Sequence, residues 1–232
     1  SHPFAKGNLS FGAEYSHNKR NTTYLNPEGI ITDDEAMIKE GATSAFVEYA
    51  KAFNQLQVQA GLRYEHVGFD YYNAGKLVDE QSKDYSNLFP SIMLSFPIKD
   101  VQVQLGYASD ISRPSYHQLR SNTFYVNRYM YDKGNPFLMP SITHNVTLGA
   151  SYKWMNLYVG YSHVKDDITN QTVAYSDDDP TIGLLTLHNC PAYDKFVAAL
   201  NIAPTAGCWT PQLGLAVQKQ WYEGETPWGK ER

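Results

Sequence analysis

The 232-residue sequence is 42% hydrophobic, 14% aromatic and only 19% charged, a balance that supports a sizeable core and excludes wholesale disorder. Its 19 Lys and Arg against 24 Asp and Glu give a net charge of −5, and without a basic block nucleic acid is not an expected partner. No apolar run approaches the roughly 18 to 20 residues of a membrane-spanning helix, whereas alternating strands that cross a membrane as a β-barrel would scarcely register in a mean hydropathy of −0.46.

In chain order, the opening Ser1-His2-Pro3-Phe4 shows neither the charged nor the apolar region of an export signal. Weak alternating segments lie at 8–16 and 43–53. The clearest strand is 56–66, where Leu56, Val58, Ala60, Leu62 and Tyr64 alternate with Gln57, Gln59, Gly61, Arg63 and Glu65. A weaker segment at 88–97 leads into 101–111, with Val101, Val103, Leu105 and Tyr107 set against Gln102, Gln104, Gly106, Ala108 and Asp110. The strands 142–153 and 157–166 follow, then a weaker 195–203 and finally 209–221. This reading gives about nine strands and no convincing helix. The tail 223–232 reads as a polar loop, and the chain as a piece of a longer protein.

The connections alternate strictly between tight and long. Tight turns are predicted at Asn54-Gln55, Ile98-Lys99-Asp100, Trp154-Met155-Asn156 and about 204–208. Long connections cover 17–42, 67–87, 112–141 and 167–194, well beyond the usual hairpin length of about 2 to 5 residues. All short turns then lie at one end of the sheet and all long loops at the other, the plan of an outer-membrane barrel. The fold class expected is all-β: an antiparallel up-and-down meander forming a partial transmembrane β-barrel.

Face composition decides which side meets lipid. A soluble sandwich would coat its wet face with Lys and Glu, but here the polar face is mainly Gln, Gly, Ser, Thr and Asn. On the apolar face, Tyr15, Tyr64, Tyr107 and Tyr161 fall toward the long-loop ends, and Phe53, Phe96, Tyr152 and Trp209 near the short turns. Two aromatic belts around an aliphatic band suit lipid interfaces. Five outward positions cover about 30 Å of strand, which at a tilt of about 40° matches a band of roughly 25 Å. Lys51 would face lipid close enough to the short-turn end to snorkel.

Several stretches resemble one family. Ala45-Phe46-Val47-Glu48-Tyr49 followed by Gln59-Ala60-Gly61-Leu62-Arg63-Tyr64-Glu65-His66 is similar to barrel strands of the outer-membrane β-barrel family related to TonB-dependent receptors. The same holds for Ile111-Ser112-Arg113-Pro114-Ser115-Tyr116 with Leu119, for Gly134-Asn135-Pro136-Phe137-Leu138-Met139-Pro140, and for His144-Asn145-Val146-Thr147-Leu148-Gly149. Tyr161-Ser162-His163-Val164-Lys165-Asp166 and 211–221 continue the likeness, of which the pairing of Arg-Pro-Ser-Tyr with Gly-Asn-Pro is the most specific part. The resemblance implies a 22-stranded barrel in the bacterial outer membrane, filled by a plug domain, importing a small ligand such as a siderophore or oligosaccharide with energy from the TonB complex. On that reading the chain is a barrel-domain fragment over 1–232 whose partners are outer-membrane lipid and, in the parent protein, the plug and TonB.

Candidate ligand-binding residues follow. Arg63, Glu65 and Asp110 lie on the polar face near the outer strand ends, where they could meet a ligand or pair with one another or with a plug. Loop 112–141 carries Arg113, Arg120 and Arg128 with Tyr116, Tyr125, Tyr129 and Tyr131. Such a basic and aromatic surface could stack sugars, hold an anionic siderophore, or simply pack as a loop with interfacial tyrosines; Arg113, Tyr116 and Tyr125 are the residues singled out. Asp177-Asp178-Asp179 with Asp166 and Asp167 lacks the spacing of a Ca²⁺ loop and reads as a solvated acidic segment. No His pair has zinc-motif spacing, so neither a metal nor a cofactor is expected, and no catalytic residues are assigned. Cys190 and Cys208 should lie near opposite rims if 195–203 crosses the sheet, too far apart for a disulfide, which needs Cα atoms within about 7 Å. Two alternatives stay open: a soluble β-sandwich that binds carbohydrate, and an outer-membrane barrel without energy-coupled import.

Overall fold

The computed structural model describes residues 1–232 except 28, 30–32, 177–179, 206, 222–223, 227–228 and 232; of 224–226 and 229–231 the backbone alone is described. Its strands are β1 (His2–Phe4), β2 (Gly7–Tyr24), β3 (Asp34–Phe53), β4 (Leu56–Asn73), β5 (Lys76–Leu77), β6 (Lys83–Ile98), β7 (Val101–Ser112), β8 (Thr123–Asn127), β9 (Met130–Lys133), β10 (Ser141–Tyr152), β11 (Met155–Lys165), β12 (Ile168–Ala174), β13 (Gly183–Asn189), β14 (Tyr193–Ile202), β15 (Leu213–Trp221), β16 (Gly224–Thr226) and β17 (Gly229–Glu231). Among the described residues, a 3₁₀ turn covers Asp79–Gln81.

One antiparallel sheet takes the order β1-β2-β3-β4-β6-β7-β10-β11-β14-β15, with β5 attached to β4. Apart from the short β1, these are nine long strands in strict sequence order, the meander that the alternation predicts. The tight turns are made by residues that accept a left-handed backbone: Asn54, Lys99 and Lys153 have φ of 54°, 55° and 50°, which matches the right-handed twist of hairpin strands. One turn is shifted from its predicted place, since β10 ends at Tyr152 and β11 begins at Met155. The connection predicted as tight at 204–208 is longer, running from Ile202 to Leu213.

The register is uninterrupted across the apolar face. Leu62 on β4 pairs Val47 on β3 and Pro90 on β6, and Tyr107 on β7 pairs Ile92 and Val146, which pairs Tyr161 on β11. These side chains stay open: Leu62, Tyr64, Ile92, Val146, Tyr161, Leu215 and Val217 are all exposed. A sandwich would have buried them against a second sheet, so that alternative does not describe this chain. Lys51 lies on the same face with its ammonium 4.7 Å from the ring centre of Phe53, as a snorkelling lysine at the short-turn rim would. Cys190 and Cys208 are free thiols on either side of β14.

At the opposite rim the expected loops are partly strand. The segment 17–42 is mostly a continuation of β2 and β3, whose ladder runs from Asn8↔Ala50 out to Tyr24↔Asp34. Within 67–87, β4 continues to Asn73 and β6 starts at Lys83. The loops 112–141 and 167–194 hold strands of their own, assembled as β12-β13-β9-β8 with a parallel β13–β9 pairing. The 223–232 tail contains the β16–β17 hairpin rather than only loop. In these segments the outward face no longer meets hydrocarbon, so apolar residues need not stand outward as they do in the band, while the backbone ladder continues regardless.

Candidate functional site

The site begins where β4 exchanges its apolar face. From Leu56 to Tyr64 the apolar residues point outward; beyond Glu65 the opposite set, Val67, Phe69 and Tyr71, is apolar and buried. The β3–β4 register passes through this point without a slip, from Phe53↔Leu56 to Ala36↔Asn73. A change of solvent explains the inversion: outside the band the outward face meets water, and the inward face is covered by loop 113–140. Ala36, Ile38, Phe69 and Tyr71 form a core there with Leu119 and Leu138 of that loop, and Tyr116, Val78, Ile168 and Leu187 pack at its edge.

Polar ties fasten the loop to the strands. Tyr71 donates its hydroxyl to Ser121 Oγ at 2.8 Å, and Ser121 donates to Asp34 Oδ2 at 2.7 Å. Lys83 Nζ donates to the carbonyl of Pro136 at 2.9 Å and to that of Leu138. Burial pulls the Lys83 ammonium down to about 8, and burial beside Glu40 pushes the Tyr85 phenol up to about 12. The two loop motifs that carry the family resemblance meet in space. The Asn135 N–H donates to the Gln118 carbonyl at 2.7 Å, while Gln118 Oε1 accepts from the Ser115 N–H at 2.8 Å. Gly134 fits this crossing because a Cβ there would stand 2.6 Å from the carbonyls of Gln118 and Arg120. Asn135 also donates to the Leu187 carbonyl at 2.8 Å, tying in the next loop.

Below this core, at the lumen end, lies a charged cleft of about 330 Å³ lined by Arg63, Glu65, Phe89, Ser91, Asp110 and Arg113 among others. It opens where the β6–β7 ladder stops at Ser91↔Ala108 while β6 remains paired to β4 as far as Lys83. Pro90, which has no N–H to give a neighbour, marks the parting. Glu65 is 4% exposed and is held by Arg63 Nη2 at 2.8 Å and by Arg113 Nη2 from the other side. A carboxylate taken out of water in this way needs both partners. Partial burial, with Arg63 nearby, lowers the Arg113 pKa, and Glu40 opposes that shift. Arg63 keeps about half its side chain open and Asp110 is exposed, so these two present polar atoms to the cleft while Glu65 is spoken for.

The structure thus gathers Arg63, Glu65, Asp110 and Arg113 but separates the two tyrosines from them. Tyr116 sits at the edge of the apolar core with the Arg20 guanidinium 5.5 Å from its ring centre. Tyr125 belongs to the loop sheet, edge-on to Tyr131 at 5.8 Å, and Tyr131 stacks on Tyr175 at 4.3 Å. Asp167 accepts from the Tyr193 hydroxyl at 2.8 Å, and 177–179 fall outside the described residues. Glu40, Lys83 and Tyr85, which frame the outer side of Arg113, were missed by a reading that treated 17–42 and 67–87 as loop. The inverted alternation Val67-Phe69-Tyr71 is the signal that could have found them.

The family described as the outer membrane protein beta-barrel family matches residues 1–226. The chain belongs to that family. Its place is the bacterial outer membrane, with the exposed aliphatic band toward lipid. Among solved structures, the FrpB iron transporter from Neisseria meningitidis (F3-3 variant) superposes with a TM-score of 0.61 at 15% identity, over 96% of this chain and 34% of that one. The copper transporter OprC gives 0.65 at 12% identity, over 94% and 36%. A double mutant of the Serratia marcescens hemophore receptor HasR, with its hemophore HasA and heme, gives 0.56 at 13%, over 94% and 42%. The chain therefore spans about a third to two fifths of these TonB-dependent receptors, and at such identities the likeness is one of fold. The comparison with curated proteins finds no match.

Proposed function

We propose that this family member forms part of the wall and mouth of a receptor that imports a small ligand through a plugged barrel, drawing on the TonB complex. The observation that carries the reading is the placement of a charged cleft on the lumen side, directly under a loop layer fixed against the inner faces of β3 and β4. Arg63 and Asp110 are the groups left open to a ligand, and Arg113 and Glu65 position Arg63. The exposed Tyr125 and Tyr129 of the loop sheet offer rings to a ligand before it reaches the cleft. The neighbouring structures are of iron, copper and hemophore–heme systems, which makes a ferric siderophore the first ligand class to try and an oligosaccharide the second. The test is uptake of a panel of ferric siderophores and oligosaccharides by cells expressing the full-length protein, with and without TonB. Import of at least one compound that needs TonB, and a loss of about tenfold or more in its affinity on Arg63→Ala through a charge-assisted hydrogen bond, support the reading. Uptake independent of TonB, or affinity indifferent to Arg63 and Asp110, counts against it.

A further inference from the structure

The outward face carries a second belt that the ligand pathway does not use. Three of the tyrosines at the outer rim are parts of one repeated pattern: Tyr15-Ser16-His17, Tyr64-Glu65-His66 and Tyr161-Ser162-His163. The fourth, Tyr107, has its histidine across the strand, in the row Ser109↔His144↔His163 that lies one step beyond Tyr107↔Val146↔Tyr161. Four of the seven histidines therefore stand on the lipid side just outside the tyrosines, two residues along the strand or about 5 Å along the membrane normal.

Hydrogen bonding fixes the rings of His66 and His144. The Tyr107 hydroxyl lies 3.0 Å from His144 Nδ1, and the phenol, the stronger acid of the two, is taken as the donor. Tyr64 donates to Ser86 Oγ at 3.1 Å, and Ser86 is 3.0 Å from His66 Nδ1, so the serine proton passes the relay on to the ring. An imidazole that accepts at Nδ1 carries its proton on Nε2, and no described residue occupies that nitrogen in either ring. Beside His17 the outward row continues to Lys19↔Lys39, which has Asp70 at its far end. Asp84 lies 3.6 Å from His66 Nδ1, outside hydrogen-bond distance, so Ser86 keeps that nitrogen, while His163 Nδ1 donates to Asp194 at 2.8 Å.

We propose that this belt binds phosphate groups in the headgroups of the surrounding lipid, with Nε2–H of His66 and His144 donating to phosphate oxygens, His17 beside them, and Lys19 and Lys39 supplying positive charge. The surface is continuous with the exposed aliphatic band, so its occupant is the lipid whose chains cover that band. Tyrosine thus serves two tasks, anchoring at the interface and orienting the donor next to it. The inference rests on the outward face alone, and the absence of ligand uptake would not touch it.

The test reconstitutes the full-length protein with phosphatidylglycerol or with a phosphate-free digalactosyl lipid of the same chains, and counts retained lipids by native mass spectrometry. The wild type is expected to retain the phosphate lipid several-fold better. A His17→Phe, His66→Phe, His144→Phe variant, which keeps the rings and removes the donors, should lose that preference while keeping the heat-dependent gel mobility of a folded barrel. Should the triple variant fail to fold, Tyr64→Phe with Tyr107→Phe removes only the two hydroxyls and should weaken the preference. A wild type without preference, or variants that keep it in full, would overturn the proposal.

Discussion

The membrane band and the outer mouth are built from the same strands by opposite rules. In the band, Leu62 and its β3 neighbour Val47 are each 45% exposed, because lipid is the solvent that covers them. In the mouth, a few residues further along β4, Tyr71 is fully buried against Leu138, itself 1% exposed, and the apolar face is the inward one. One continuous hydrogen-bond ladder thus carries two hydrophobic phases. The backbone sets where strands run, and the medium on each side sets which alternate residues must be apolar.

This contrast can be broken at its junction. Glu65→Ala should have the largest effect, since removing the shared carboxylate breaks both ion pairs and leaves Arg63 and Arg113 facing each other. Both arginines keep access to water, so the cost is expected near the lower end of the roughly 3 to 5 kcal/mol of a broken buried pair. The measure is denaturant unfolding in detergent, and a loss below about 1 kcal/mol would show that the arginines relax into water. Next, Leu138→Ala should destabilise the mouth by about 2 to 5 kcal/mol by opening a cavity in its core. Amide exchange should then rise across 119–138 and on the outer halves of β3 and β4, while Leu62→Ala leaves those amides unchanged.

Lys83 gives a pH test of the mouth alone. Its folded value of about 8 lies below the ordinary 10.5, so the folded state disfavours the ammonium. The penalty is complete below about pH 8 and is relieved as pH rises toward 10.5. Tyr85 works the other way: its phenol is raised to about 12 from 10.0, so stability it contributes is lost as pH climbs from 10 toward 12. Exchange protection of the segment around Leu138, corrected for the intrinsic rate, should therefore rise between pH 8 and 10 and then stop rising. Lys83→Met should abolish the increase. The smallest effect expected is that of Tyr71→Phe, about 0.5 to 1.5 kcal/mol, because Ser121 keeps its bond to Asp34 when the phenol hydroxyl is gone.

The legibility of the candidate site divides along the same line. Arg63, Glu65 and Asp110 could be placed together from alternation, because all three stand on the polar face of strands whose apolar face is plain. Arg113 joined them as the residue after β7. Tyr116 and Tyr125 could not be placed, because their position depends on how 113–140 folds back and on the β13–β9 pairing, and loop paths follow from long-range contacts that no local pattern encodes. The Asn135-Pro136 turn was readable as a turn, but its bonds to Gln118 and Leu187 were not.

The sequence by itself determined the meander, its tight-turn end and the face that lipid covers, because a strand with lipid on one side must alternate along its length. Only the tertiary structure decided how far the strands extend beyond the membrane and what covers their inner faces. There water bathes the outer side and a distant loop the inner, so the apolar requirement came from a partner some fifty to seventy residues away in the chain, as Leu119 and Leu138 are from Phe69.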